Sequence, residues 1–267
     1  MYHLVNQYEI KPPMMKKIWL FLFAAAMLTP KTLPAQDAQF NTLLFTKTEG
    51  WHHESINEGV DAIRELGERH AFNVNWQEMT GVFTDEGLAN YDVIIFLNTT
   101  GDVLNDEQQA AVERFIQSGK GFVGIHSASD TEYDWQWYTQ LVGRMFKTHP
   151  KIETAEITVH NNSFPGLERY PETRWWTDEW YEFQDETVDG LNYLITVDED
   201  TYDVTDDWGK GVSHGMGDFH PVAWYHEFDG GRSFYTAMGH MPENFSDELF
   251  LEHIFGGILW AATGKGL

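Results

Sequence analysis

Gly121-Phe-Val-Gly-Ile-His-Ser-Ala-Ser-Asp130 is the stretch on which the reading of this chain turns. Its first half is apolar, and Phe122 to Ile125 reads as a short buried strand. It then stops abruptly at a histidine, followed by small hydroxyl residues and an acid. In an α/β protein such a junction is the C-terminal edge of a sheet strand, where open sheets place their ligands. A residue that only filled the core would be apolar here. His126 can donate, accept, carry a proton or bind a metal near neutral pH, so it reads as a site residue.

Upstream, the same alternation repeats. Asn41 to Phe45 is a short apolar strand, followed by the polar loop Thr46-Lys-Thr-Glu-Gly-Trp-His-His-Glu54. Ser55 can cap a helix whose apolar positions Ile56, Val60, Ile63 and Leu66 recur at helical spacing. Phe72 to Trp76 reads as a second strand. Val93 to Leu97 is a third, apolar throughout as strands buried on both faces are. The loop Asn98-Thr-Thr-Gly-Asp102 follows it, and a helix from Asp106 to Ser118 leads to Gly119 as a stop. Strand and helix alternating at these intervals predict an α/β fold with a parallel, doubly wound sheet. In a flavodoxin-like order the ends of strands one and three flank the switch-point crevice with strand four beside it. The three polar loops are therefore expected to face one cleft.

The second half is less regular and rich in aromatics and turns. Trp175-Trp-Thr-Asp-Glu-Trp-Tyr181 has no clear period, Leu191 to Val197 reads as a strand, and Asp198 to Asp207 is an acidic loop. Val222 to Glu227 and Ser233 to Ala237 read as strands joined by the turn Asp229-Gly-Gly231. Asp247 to Ala262 reads as a closing amphipathic helix. With no internal repeat and no Pro/Gly linker, residues 36–267 are expected to form a single domain with a decorated sheet.

The first 35 residues read as an export signal. Lys16-Lys17 supply a positive region, Ile18 to Leu28 is an 11-residue apolar run, and Leu33-Pro-Ala-Gln36 offers a small-residue cleavage site. Eleven residues are short for a bilayer span. Cleavage would leave 13 basic and 41 acidic residues, a formal charge near −28. Such a surface repels nucleic acid and anionic membranes. The chain has no cysteine, which excludes disulfides, thiolate metal sites, a Cys nucleophile and a lipidated N-terminal Cys. The expected product is a periplasmic or secreted protein that is soluble rather than tethered.

Further candidates lie in the second half: His149-Pro150, Asp178-Glu179 between tryptophans, His220-Pro221, and Gly239-His240 after a strand. A carboxylate among aromatics tends to have a raised pKa, which suits acid/base work. Aromatic planes such as Trp180 suit stacking on a sugar ring, with hydroxyls left to polar side chains. The competing reading makes Trp175, Trp176 and Trp180 core and Asp178 a turn cap. No His-x-x-x-His or His-Glu-x-x-His spacing occurs, and the adjacent His52-His53 do not suit a shared ion, so no metal ligand is assigned. Convergence of His and carboxylate ligands in three dimensions stays open. Thr46-Lys-Thr-Glu-Gly50 lacks the glycine density of a phosphate cradle, and no Gly-x-Ser-x-Gly elbow is present. Gly124-Ile-His-Ser-Ala128 puts His where such a nucleophile would stand.

Several ordered motifs resemble the ThuA-like (trehalose utilisation) family. They are Gly50-Trp-His-His-Glu-Ser55, Thr99-Thr-Gly-Asp102, Gly124-Ile-His-Ser-Ala-Ser-Asp-Thr131, His149-Pro150 and Asp178-Glu-Trp-Tyr181. His220-Pro-Val-Ala-Trp224, Gly231-Arg-Ser-Phe-Tyr-Thr236 and Gly239-His240 extend the likeness, which covers Asn41 to Gly264. His53 matches the family's histidine after strand one. Phe164 stands where the family often shows His-Pro. The resemblance implies a flavodoxin-like fold related to class I glutamine amidotransferases without their cysteine. It also implies a role in sugar catabolism, on glycosides oxidised to a keto form.

The expected function is therefore an exported sugar-active enzyme, a hydrolase, lyase or isomerase using acid/base chemistry on a small carbohydrate. His126 and Glu179 are the expected proton-transfer groups. His53, Asp130, His149, Asp178, Trp180, His220 and His240 are expected to bind substrate, and no cofactor is assigned. A noncatalytic carbohydrate-binding domain and a metal-dependent hydrolase are the rival readings. N-terminal sequencing of protein from its native host should begin within a few residues of Asp37. An intact Met14 or Met15 on the mature protein would contradict export.

Overall fold

The computed structural model describes residues 37–186, 188–209 and 211–266; the stretch read as an export signal lies outside the described residues. In chain order the strands are β1 (Asn41–Phe45), β2 (Asn73–Gln77), β3 (Val93–Leu97), β4 (Gly121–Ile125), β5 (Phe146–Thr148), β6 (Glu153–Val159) and β7 (Thr173–Asp178). They continue as β8 (Glu182–Phe183), β9 (Asn192–Val197), β10 (Thr205–Asp207), β11 (Val212–His214), β12 (His220–Phe228) and β13 (Gly231–Thr236). The helices are α1 (Ile56–His70), α2 (Asp85–Leu88), α3 (Asp106–Gln117), α4 (Gln136–Val142) and α5 (Glu248–Thr263).

Nine strands form one sheet in the order β2-β1-β3-β4-β13-β12-β9-β6-β7. The run from β2 to β13 is parallel. The first four follow the expected flavodoxin-like order, and β13 takes the fifth place after an antiparallel insertion has been threaded out and back. Every residue of β3 and β4 is buried, because a parallel sheet is covered on both faces. On one face Phe96, Phe122 and Tyr138 of α4 meet as aromatic pairs. On the other, α5 lies so close that Gly121 touches the backbone of Ala261 and Gly257 faces the ring of Phe234. The β12–β13 hairpin turns through Asp229 and Gly230, both with positive φ. This is the backbone that a tight two-residue turn demands and that Asp-Gly supplies.

In the second half β9, β12 and β13 fall where the sequence predicts strands, whereas β6 and β7 go beyond that reading. The start of the aromatic run, Trp175 to Asp178, belongs to β7, paired with β6. The two elements carry the sheet to an edge four places beyond β13, yet that edge does not stay remote. Trp176 packs on Phe250 of α5 with ring centroids 5.4 Å apart, and Arg174 pairs with Asp247 at the start of that helix. Sheet twist, increased by the irregular register between β12 and β9, curls the far edge back over α5. Phe164 is core, stacked on Phe234.

The close helix–sheet approach gives a direct test. Alanine at position 257 is the better helix former, by about 1 kcal/mol, but its methyl would overlap the buried Phe234 ring. Gly257→Ala should therefore destabilise the fold by about 1–3 kcal/mol in urea unfolding. A stabilised variant would show that α5 sits further from the sheet.

Candidate active site at the C-terminal edge of the parallel strands

His126 begins where β4 ends. Its φ is +50°, a conformation that costs a non-glycine residue on the order of 1–3 kcal/mol and persists only when neighbours enforce it. The enforcement is visible. Tyr235 donates its hydroxyl hydrogen to the His126 carbonyl at 2.7 Å. Gly124 leaves no room for a side chain, since a Cβ would meet Tyr235 and Ala128. A short 3-10 turn, His126 to Asp130, follows. His126 Nδ1 lies 2.7 Å from the carbonyl of Ala237. A carbonyl only accepts, so Nδ1 donates and Nε2 is turned inward.

The neighbouring loops are sewn to this turn. Thr48 bridges Thr100 and Gly101 bridges Thr131, while Thr99 and Thr131 share a hydroxyl bond of 2.9 Å. Asn98, also at φ +50°, donates to Ser55 Oγ at 2.8 Å, and Ser55 donates to the carbonyl of Gly239 at 3.2 Å. The expectation that the loops after β1, β3 and β4 share one cleft holds, and the loop after β13 joins them. His53 is thereby buried beside Ser127, with Nδ1 3.3 Å from its hydroxyl, whereas its neighbour His52 turns outward to Thr48.

The far edge of the sheet completes the group. Asp178, fully buried at the end of β7, accepts from the backbone N–H of Glu179, Gly239 and His240 and from the indole of Trp176. That clamp sets Glu179 opposite the histidines. Its Oε2 lies 3.1 Å from His240 Nδ1 and 3.5 Å from His126 Nε2, and its Oε1 lies 3.2 Å from His149 Nδ1.

The electrostatics follow from this geometry. Burial works to raise the Glu179 pKa, but hydrogen bonds and charge from His126 and His240 override it and hold the carboxyl well below the usual range. Burial likewise disfavours charge on His240, yet the bond and charge of Glu179 prevail and raise its pKa. His53, desolvated and beside two other imidazoles, is pushed far down and stays neutral. Asp130 is raised, chiefly by burial and against the hydrogen bond from Tyr133.

The trehalose utilisation model, ThuA, matches residues 41–261. The chain belongs to the ThuA family. Among solved structures it resembles a ThuA-like protein of Bacteroides uniformis at 19% identity and a TM-score of 0.70, covering 86% of this chain and 94% of that one. A ThuA-like protein of Parabacteroides merdae follows at 18% identity and 0.64, covering 85% and 91%. A β-galactosidase of Bacillus circulans shares the fold at 15% identity and 0.53 over 85% of this chain, but only 31% of its own. No curated protein matches the sequence. At such identities the likeness concerns fold alone: an α/β flavodoxin-like sheet with a decorated C-terminal half.

Within this ThuA-family fold the residues singled out from sequence fall into three groups. His53, His126, Glu179 and His240 converge. His149, with a side chain 22% exposed, and Asp130, at the end of the 3-10 turn, stand nearer solvent. Asp178, His220 and Trp180 face the interior. Asp178 is taken up by backbone N–H groups. His220 is held between Glu199 at 2.7 Å and the carbonyl of Tyr181 at 2.8 Å, and buried Trp180 donates to the carbonyl of Glu153. None of these three offers a face to a ligand; they brace the wall behind it.

Sequence reasoning missed the aromatics that do offer a face. Trp208 is 39% exposed and stacks on His149 with centroids 5.0 Å apart, and Tyr133 donates to Asp130 at 2.6 Å. Tyr133 also lines a groove of about 280 Å³ with Gln140, Arg144 and Gln184. Trp208 ends an acidic loop with no periodic signal, so its position could not be read from spacing.

The Asp178 clamp yields a prediction. Asp178→Ala would strand buried N–H groups at Gly239 and His240, each costing about 1–3 kcal/mol. Urea unfolding should show a loss of several kcal/mol with an unchanged slope. A loss below ~0.5 kcal/mol would mean that the clamp is not what holds the β7 edge.

Proposed function

We propose that this protein is an exported enzyme of carbohydrate catabolism that acts on a keto-sugar or glycoside by acid/base chemistry. The observation that carries the reading is the His149–Glu179 pair lying against the exposed ring of Trp208. His149 Nδ1 donates to the carbonyl of Pro150 at 2.8 Å and lies 3.2 Å from Glu179 Oε1, which turns Nε2 away as a base with a carboxylate behind it. A sugar at the open edge of the His149–Trp208 stack would bring a C–H beside that nitrogen, with its hydroxyls over polar groups. Membership of a family described as trehalose utilisation supports the substrate class.

In a keto-sugar the carbonyl acidifies the adjacent C–H. His149 Nε2 takes that proton, and the electron pair moves onto the carbonyl oxygen, over the floor formed by His126 and His240. Asp130, whose pKa burial raises, is suited to return a proton to a departing glycosidic oxygen. The proton-transfer role expected of His126 shifts outward here. That imidazole is fully buried and its two nitrogens face Ala237 and His240.

The test is a turnover screen on native and 3-keto disaccharides. His149→Ala should lower kcat by about 10²–10⁴-fold, the range for a general acid or base, with little change in sugar affinity. Trp208→Ala should raise KM with a smaller effect on kcat. Sugar binding without turnover of any substrate by the wild type would make this a binding domain instead. Wild-type kinetics in both folded variants would place the chemistry elsewhere.

A further inference from the structure

The floor of this site has a property that the acid/base reading does not use. His53, His126, His240 and Glu179 each bring one donor atom to a common point, all within 4.8 Å of one another. Three of these separations are tight. His126 Nε2 to His240 Nδ1 is 3.1 Å, His240 Nδ1 to Glu179 Oε2 is 3.1 Å, and His126 Nε2 to Glu179 Oε2 is 3.5 Å. Donors around a tetrahedral ion bound at about 2.1 Å lie about 3.4 Å apart by simple geometry. The observed distances bracket that value.

The orientation of the rings points the same way. The Ala237 carbonyl fixes the Nδ1 proton of His126 and leaves its Nε2 lone pair toward the centre. Ser127 Oγ stands 3.3 Å behind His53 Nδ1. Outer partners of this kind, on the ring nitrogen away from the ion, orient ligating histidines. The three imidazoles meet nearly edge-on, at interplanar angles of 89°, 87° and 72° with centroids 4.8 to 5.2 Å apart. The Nε2 atom of His126, Nδ1 of His240, a ring nitrogen of His53 and the Glu179 carboxylate thus converge in a buried space, the donor set that a divalent ion takes.

We propose that His53, His126, His240 and Glu179 bind one divalent transition ion of the zinc type. Imidazole donors outnumber oxygen here, which disfavours magnesium and calcium, whose shells are built of oxygen. The His126 side chain is fully buried, while those of His240 and Glu179 are 20% and 10% exposed. Four protein donors fill a tetrahedral shell, so a sugar oxygen could join only as a fifth ligand, from the His149 and solvent side. Any role of the ion toward a sugar rests on the function proposed above; its binding does not.

The experiment uses untagged, chelator-stripped protein titrated with Zn²⁺, Co²⁺, Mn²⁺ and Mg²⁺ by calorimetry. Thermal melting and the visible spectrum of the Co²⁺ form are recorded alongside. One Zn²⁺ or Co²⁺ per chain is expected, with a tetrahedral cobalt spectrum, a higher melting temperature by mass action, and much weaker Mg²⁺ binding. His240→Ala, at a partly exposed position, should weaken Zn²⁺ by more than the roughly 10–100-fold that loss of an outer partner costs. His52→Ala, adjacent in sequence but turned outward, should bind like wild type. No saturable binding of any of these ions to folded wild type would overturn the proposal. So would binding that survives in both His240→Ala and Glu179→Gln. Ion binding without sugar turnover would uphold the metal site and remove the proposed function. Turnover by stripped protein that added ion does not change would remove the ion's role and leave the sugar reading standing.

Discussion

The buried carboxylate of Asp178 is the contact on which the site depends. It ends β7, at the far edge of the sheet, and it accepts from the backbone of Gly239 and His240, just beyond β13. Burial raises the pKa of this carboxyl against the hydrogen bonds that oppose the rise, so its place in the interior depends on all the donors staying in place. One side chain thus ties the end of the antiparallel insertion to the edge of the parallel sheet. It also delivers Glu179, its neighbour, to the histidines. Without that tie the strand ends would present imidazoles with no carboxylate among them.

A second constraint acts on the backbone. Both His126 and Asn98 hold positive φ at the ends of adjacent strands, and each is fixed by bonds that cross to another element. Strain of this kind survives because the surrounding core is fully packed, with β3 and β4 buried on every residue. The rigid sheet fixes where the strands end, and the loops sewn across those ends leave the imidazoles little freedom. Preorganisation is what such a site needs, since side chains held in place lose no further order when a ligand arrives.

The charges of the floor form a coupled set in which burial and pairing oppose each other. Glu179 stays ionised and His240 is favoured in its charged form because they face one another, while His53 stays neutral because burial, and then the charge of the two neighbouring imidazoles, disfavours its proton. The chain as a whole carries a formal charge of −25. A long-range field of that sign discourages anionic ligands and concentrates cations near the surface. Neutral molecules and cations are the ligand classes that such a field favours.

The sequence by itself determined the parallel half of the sheet and the residues that line its edge. Short apolar runs and period-3.6 hydrophobicity are local signals, so β1, β3, β4, α1 and α3 were legible. The abrupt switch from apolar to polar after each strand marked His53, the Asn98 loop and His126. The Asp229-Gly230 turn announced its hairpin for the same local reason. Tertiary structure alone decided the rest. The curl of the antiparallel half depends on accumulated twist and on packing against α5, and no window of sequence records it. That curl makes Glu179 a member of the cluster, turns Asp178 into a clamp, and leaves Trp180 and His220 facing inward. It also sets His149 against Trp208. Four donor atoms drawn from four separate strand ends have no spacing in the chain, so their convergence becomes visible only once the fold has brought those ends together.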